Sequence, residues 1–244
     1  EATKRILEIL ADADDRTLVV CLISGGASAL LVAPLNDISL SDKQGVTELL
    51  LKSGASIQEI NTVRKHISAA KGGRLAEIAH PARLISFVLS DVIGDRLDVI
   101  GSGPTVPDES LYSDAVEVLD KYDLLKKIPP SVAKVLKEGL AGRLPETPKP
   151  ESSLFQRSET IIVGNNGKAT SAARMRAVEL GYEATVTSSA VEGEAVAVGL
   201  DLARRALSLK RIAQFGRKRL CFISGGETTV TVRGDGKGGR YTEL

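Results

Sequence analysis

The sequence predicts an α/β fold: a doubly wound, Rossmann-like lobe built on a parallel sheet, followed by part of a second α/β lobe. Three observations carry this. Apolar runs of strand length alternate with helix-period segments, the pattern of parallel strands joined by crossover helices. Aromatic residues make up only 3% of the chain and Trp is absent, so the core is aliphatic, as in sheets covered by helices. Finally, the phrase "CLISGGAS" at 21–28 returns as "CFISGGET" at 221–228, five of eight letters identical, each time at the end of an apolar run.

The elements follow in order. "EATKRILEILADAD" at the start is helix-like, and "RTLVVCLI" is a continuous apolar run that reads as a buried strand. "SDKQGVTELLLKSG" (41–54) reads as a helix with a capping box from Ser41 to Gln44 and a glycine stop at Gly54. "SIQEINTVRKHISAAK" (56–71) repeats the box with Ser56 and Glu59. "RLISFVL" (83–89) is a second buried strand, and helices are expected at about 110–122 and 131–139. "AGRLPETPKPESS" carries three prolines and reads as a linker or long exposed loop, dividing lobes at 1–150 and 151–244. Strand "TIIVG", helix "KATSAARMRAVELG", strand "EATVTS", a helix near 192–210 and strand "LCFIS" complete the alternation. The chain begins inside a helix-like stretch and stops at "GGRYTEL", which reads as a fragment of a longer protein.

Composition excludes several function classes. Hydrophobic residues are 43% and charged residues 26%, a soluble globular balance. The net charge is +1 without long runs of one sign, which gives no support to nucleic-acid or membrane-surface binding. Cys21 and Cys221 sit inside apolar runs and read as small buried hydrophobes in a reducing cytoplasm, not as metal ligands or a disulfide. No spanning segment or signal peptide is present in the sequence as it stands.

Chemistry concentrates at expected strand ends, where open α/β sheets bind ligands. In both copies of the repeated phrase the chain is expected to turn through paired glycines, Gly25–Gly26 and Gly225–Gly226. Such pairs let backbone N–H groups converge on an anion. Ser24, Ser28, Ser224 and Thr228 add hydroxyls, with Glu227 beside them. The plain alternative is a tight turn that merely needs glycine. "VRKHISAAKGGR" (63–74) gathers Arg64, Lys65, Lys71 and Arg74; 64, 71 and 74 would share a face if one helix ran through Gly72 and Gly73, and a solvated face is the alternative. His66 reads as a hydrogen-bonded structural histidine.

"FVLSDVIGDRLDVIGSGPTVPD" (87–108) is the most specific stretch. A strand delivers Asp91, and Asp95 and Asp98 follow within one loop. Carboxylates there suit Mg²⁺ or a base for a hydroxyl proton, although loop aspartates also serve as Asx-turns and caps. "GSGPT" adds Gly103 and Thr105. Acidic groups, a basic cluster and glycine turns are the parts phosphoryl transfer uses. "GNNGKAT" (164–170) lacks Walker spacing but can still touch a ligand as a strand-to-helix turn, and "GDGKGG" (234–239) has no acidic residue at the required distance within the chain.

Taken together, "SGGASALL", "SGASIQEINTVRKHISAAKGGRLA", "LSDVIGDRLDVIGSGPTVPD", "VGNNGKA" and "SGGETTVTVRGDGKGGR" resemble the glycerate 2-kinases that end in a MOFRL-type domain. The resemblance implies ATP-dependent phosphorylation of D-glycerate, with Mg²⁺, in a cleft between two α/β lobes faced by both copies of the phrase. It maps the family's acidic loop onto Asp91 and Asp95 and its C-terminal arginine onto Arg240. The chain departs from the family pattern at Ala27, where a third glycine often stands, and at Tyr241–Thr242, which follow Arg240 in place of Asn. The family's catalytic lysine lies in an N-terminal segment outside this sequence, so the chain alone is expected to be a poor catalyst. Two other readings stand beside the kinase: an NAD(P)H-dependent hydroxypyruvate reductase and a non-catalytic binding fragment.

Overall fold

In the computed structural model, which describes residues 1–216 and 218–231, the strand and helix order is the expected α/β alternation. The chain divides into two compact units, Glu1–Val163 and Gly164–Leu244. The proline-rich 141–153 stretch lies inside the first unit, where Thr147 is buried and its hydroxyl donates to Asp108 Oδ2 at 2.9 Å.

The first unit holds a sheet of order β1-β2-β3, formed by Leu18–Ile23, Arg83–Leu89 and Ser158–Gly164. β1 and β2 are parallel, in register from Leu18↔Arg83 to Ile23↔Val88. On one face of β1, Val19 and Cys21 pack against Leu10 of α1 (Ala2–Ala11) and Leu75 and Ala79 of α5 (Arg74–Ala79). The alternate residues Leu18, Val20 and Leu22 are exposed, so β1 is not the fully buried strand its unbroken apolar run suggests. The run lacks the polar alternation that would mark a half-covered strand.

The larger apolar core is helix on helix. Val46 and Leu50 of α3 (Leu40–Lys52) and Ile60 and Val63 of α4 (Ile57–His66) interlock with Leu119 of α6 (Tyr112–Lys121) and Val132 and Leu136 of α7 (Pro130–Leu140). The Ser56–Glu59 box caps α4 as expected. For α3 the cap is Ser39, not Ser41: its side chain accepts from the Asp42 amide, and Ser41 lies inside the helix. That register puts acidic Asp42 in the first turn, where the helix dipole favours it. At the other end Gly54, at φ +76°, closes a Schellman turn with N–H donation from Gly54 to Leu51 and from Ala55 to Leu50.

The second unit pairs β4 (Glu183–Val191) with β5 (Leu220–Gly226) in parallel, with two register shifts toward the C-terminal end. α8 (Asn166–Glu179) packs across both strands and buries Thr170 and Ala177, and α9 (Ala195–Gly216) connects them. Among the described residues, no helix is long and apolar enough to cross a membrane.

Candidate active site

The first glycine pair does form a turn between strand and helix. Gly26 has φ +81° and caps the short helix α2 (Ala27–Leu30). Gly25 is constrained by its neighbour: a Cβ there would overlap the carboxylate of Asp91. Asp91 follows β2, parallel to and beside β1, so the pairing itself brings its carboxylate over the turn. No described Lys or Arg pairs with Asp91 within 4.0 Å. Asp95 ends the same turn, its amide donating to the Val92 carbonyl at 3.1 Å, with Gly94 and Asp95 at φ +82° and +53°. Unlike Asp91, Asp98 accepts from Arg96 through both oxygens, at 3.1 and 2.7 Å.

The "GSGPT" segment closes over α2. Gly101, Ser102 and Gly103 have successive φ of +62°, +64° and +61°, and Ser102 is wholly buried. A non-glycine residue held in this region stores strain, which its surroundings must impose. They do so through hydrogen bonds: Ser102 Oγ donates to Asn61 Oδ1 at 3.0 Å and lies 2.8 Å from Ser28 Oγ. Thr105 is buried too, accepting from Ser86 of β2 at 3.0 Å.

The basic cluster is not one helix face. α4 ends at His66, and Ile67 to Gly73 form a non-helical strap: the Ala69 amide donates to the Ala33 carbonyl, Gly72 to Ser102 and Gly73 to Gly103. Gly72 and Gly73, at φ +59° and +81°, cannot continue a right-handed helix. Even so, the strap brings Lys71 back to Arg64. Arg64 Nη2 donates to Ser28 O and Oγ at 3.0 and 2.9 Å, and Lys71 Nζ to the same atoms at 2.8 and 3.1 Å. Arg74 is left out, with Nη2 3.4 Å from Pro145 O and Nη1 3.8 Å from Glu77. Lys65 faces a different cavity, and its buried ammonium donates to buried Asp108 at 3.1 Å. Burial pushes the Asp108 carboxyl up, but Lys65, Ser110 and Thr147 outweigh it and hold it below the usual range.

Sequence reasoning missed a third cation. Lys43 of α3 is 4% exposed and lines a cavity of about 500 Å³ with Ser28, Arg64 and Lys71. Burial, then the Arg64 charge, pushes Lys43 down to about 7. Burial, Arg64 and then Lys43 do the same to Lys71. In the sequence Lys43 sits among Asp42 and Gln44 and reads as a solvated helix residue. Ser102 and Asn61 were missed as well; only the placement of Ser102 between two glycines hinted at its strained turn.

The second glycine pair is not a turn. Gly225 and Gly226 belong to β5, and Gly226 pairs with Val191. A Cβ on Gly226 would strike the Val191 backbone, and one on Gly225 would strike the Asn166 carboxamide and Thr170. Ser224 Oγ lies 2.6 Å from Thr187 Oγ1; the Glu227 amide donates to Val191 O at 3.0 Å, and Thr228 follows, half-buried. In "GNNGKAT", Asn165 caps α8 by accepting from the Lys168 amide at 2.8 Å. Arg240, Tyr241–Thr242 and "GDGKGG" lie outside the described residues. Among the described residues, no group of three or more His, Cys, Asp or Glu side chains gathers as a metal cage.

A family described as a domain of unknown function, DUF4147, matches residues 1–137. The chain belongs to the DUF4147 family. It is 42% identical over its full length to a D-glycerate 2-kinase of Thermotoga maritima, covering 55% of that protein. It is 41% identical to a glycerate 2-kinase of Pyrococcus horikoshii, with 99% of this chain and 54% of that one aligned. A relative in Agrobacterium vitis, 40% identical over all of this chain and 61% of its own, bears a hydroxypyruvate reductase name. The crystal structure of glycerate kinase from Thermotoga maritima superposes with a TM-score of 0.81 at 41% identity, covering 99% of this chain and 55% of that one. This DUF4147 chain thus spans about half the length of these two curated glycerate kinase relatives.

Proposed function

We propose that this chain carries part of the active site of an ATP-dependent D-glycerate kinase that makes phosphoglycerate, with transfer to the 2-hydroxyl. The observation that carries the reading is the Asp91 carboxylate, seated over the bare backbone of Gly25 and unpaired by any described cation. The glycerate kinase names of relatives aligned over the whole chain support it.

The residues present fit Mg²⁺ and a nucleotide. Asp91 and Asp95 offer hard oxygen donors from one turn, and Mg²⁺ in phosphotransferases is typically held by one or two carboxylates with phosphate oxygens and water. Such an ion, when bound, neutralises phosphate charge. Asp91 or Asp95 would alternatively accept the proton of the substrate hydroxyl as it attacks. The turn at Ser24, Gly25 and Gly26 and the loop at Gly103 and Thr105 would border the nucleotide phosphates. Ser28, Arg64 and Lys71 would orient an anionic group, and Lys65 would steady the Asp108 segment behind the site. Within the second unit, Ser224, Gly225, Gly226, Glu227 and Thr228 would contact ligand, and Arg240 would supply a further cation. A MOFRL-type region and a cytoplasmic setting belong to the same reading.

A coupled assay for ADP release with ATP, Mg²⁺ and D-glycerate tests this, with ³¹P NMR to assign the phosphorylated hydroxyl. Absence of D-glycerate-dependent ADP release from the full-length protein would overturn it. The name of the Agrobacterium vitis relative supports a second reading, hydroxypyruvate reduction. Oxidation of NADH by hydroxypyruvate in the same preparation would favour that reading.

A further inference from the structure

We propose that Lys43, Arg64 and Lys71 form, around Ser28, a subsite for a phosphoryl-type dianion. The inference deepens the phosphotransfer reading and rests on it for the identity of the natural ligand. The anion-binding chemistry itself stands on the geometry. Three cationic side chains arrive from three different segments, α3, α4 and the 67–73 strap, and line one cavity of about 500 Å³. Two of them donate to the same pair of oxygens on Ser28, which two cations would not share without a strong local need for negative charge.

The third, Lys43, makes one long bond, 3.4 Å to the Ile67 carbonyl, although an ammonium carries three donors. The residue is 4% exposed, and its ammonium meets no carboxylate within 4.0 Å among the described residues. The cavity wall contains one acidic residue, Glu48, and that carboxylate is engaged by Lys52 at 2.7 Å on the exposed side. The remaining polar lining, Gln44, Thr47 and Ser28, is neutral. Burying like charges without a counter-ion is expensive unless a ligand supplies one. A dianion answers three cations better than a monocarboxylate, and a tetrahedral oxyanion presents enough oxygens to meet all three.

The charge state gives the subsite a signature. Burial and mutual repulsion lower both lysines to about 7, so at pH 8 much of their population is neutral. A bound dianion favours the charged form and raises both values, so binding at pH 8 takes up protons and affinity falls as pH rises. The other charged groups facing the lysines are Arg64, which stays protonated, and the Glu48–Lys52 pair.

Sulfate is the decisive probe, since it does not itself titrate near neutrality. Calorimetry on the full chain at pH 8, in two buffers of different ionisation heat, should show saturable sulfate binding with proton uptake. Phosphate, ATP and phosphoglycerate as competitors then separate the possible sources of the group, and D-glycerate alone should compete poorly. Lys43→Met keeps the aliphatic stem and should weaken sulfate about tenfold while leaving the anion-free thermal midpoint equal or higher. Saturable binding with uptake, weakened by Lys43→Met, sustains the proposal. No saturable sulfate binding at millimolar concentrations overturns it, as does an adventitious ion only, bound without proton uptake and indifferent to Lys43→Met. Should Lys43→Met not fold, proton uptake by the wild-type chain decides alone. These measurements need no turnover. With ADP release read on the full-length protein, sulfate binding without D-glycerate-dependent ADP release refutes the kinase reading and spares the subsite; turnover without sulfate binding does the reverse.

Discussion

At 24–28 the chain leaves β1, turns through Gly25 and Gly26 and enters a helix, whereas at 224–228 the same Ser-Gly-Gly is the end of strand β5. The first glycine of each pair has the same reason to be glycine. Gly25 lies under the Asp91 carboxylate and Gly225 under the Asn166 carboxamide, and either Cβ would collide with the polar side chain above it. The second glycines differ. Gly26 is chosen for its left-handed φ, with open space around it, while Gly226 is chosen because the Val191 backbone lies against it. One motif therefore answers two physical demands, bare backbone beneath a polar group and freedom from a side chain, through two different local geometries.

The largest expected effect tests what the first copy has and the second lacks, a carboxylate above the glycine. In the full-length protein, Asp91→Asn should lower kcat for D-glycerate about a hundredfold or more, the usual worth of a metal-binding or proton-accepting carboxylate, with little change in thermal midpoint because Asp91 is exposed. Asp95→Asn should follow it. Asp98→Asn, whose oxygens are already committed to Arg96, should be milder. Near-normal kcat in both Asp91→Asn and Asp95→Asn would make the loop structural and remove the carboxylate from the comparison.

Next in size is Gly226→Ala. Its added methyl meets backbone, which cannot rotate away, so the cost is overpacking of about 1–3 kcal/mol in unfolding free energy. Chemical denaturation should show it as a lowered midpoint. An unchanged midpoint would mean that β4 and β5 tolerate separation at their C-terminal end, and the strand geometry of the second copy would not be what demands glycine there.

How much of this was legible beforehand follows from which interactions are local. Helix α4 was readable because its capping box is written within four residues, Ser56 to Glu59. The alternation of strands and helices along the chain was readable from apolar runs. What was not readable depends on segments far apart in sequence: Asp91 meeting Gly25, Val191 meeting Gly226, and Lys43 joining Arg64 and Lys71 around Ser28. The expected convergence of Arg64 and Lys71 survived for a different reason than periodicity, since a glycine-jointed strap and not a continuous helix returns Lys71 to the site. The exposed face of β1 was hidden because an unbroken apolar run carries no trace of which residues are covered.

Gly25→Ala should have a smaller effect, and one that falls on activity more than on stability. It is not at positive φ, so alanine meets no left-handed strain there, and the group it displaces is an exposed side chain free to rotate. Stability should change by no more than about 0.5 kcal/mol, while turnover falls about tenfold as Asp91 is moved. A double-mutant cycle sharpens this: in an Asp91→Ala background Gly25→Ala should cost nothing further in kcat. Additive losses would show that Gly25 serves a ligand directly.

The smallest expected difference separates the two uses of the second glycine. At Gly26 no atom lies within 4 Å of the position an added methyl group would take, so any penalty must come from φ +81° alone. Alanine in the left-handed region costs about 1–2 kcal/mol, and asparagine less, because its short polar side chain bonds locally. Gly26→Ala should therefore lower the unfolding free energy by about 1 kcal/mol, and Gly26→Asn should recover a good part of it. At Gly226 the order should reverse, since asparagine is larger than alanine and the obstruction there is steric. Denaturant midpoints of the four variants read both orders directly. If asparagine is worse than alanine at both positions, Gly26 is crowded in solution, and the two second glycines share one role after all.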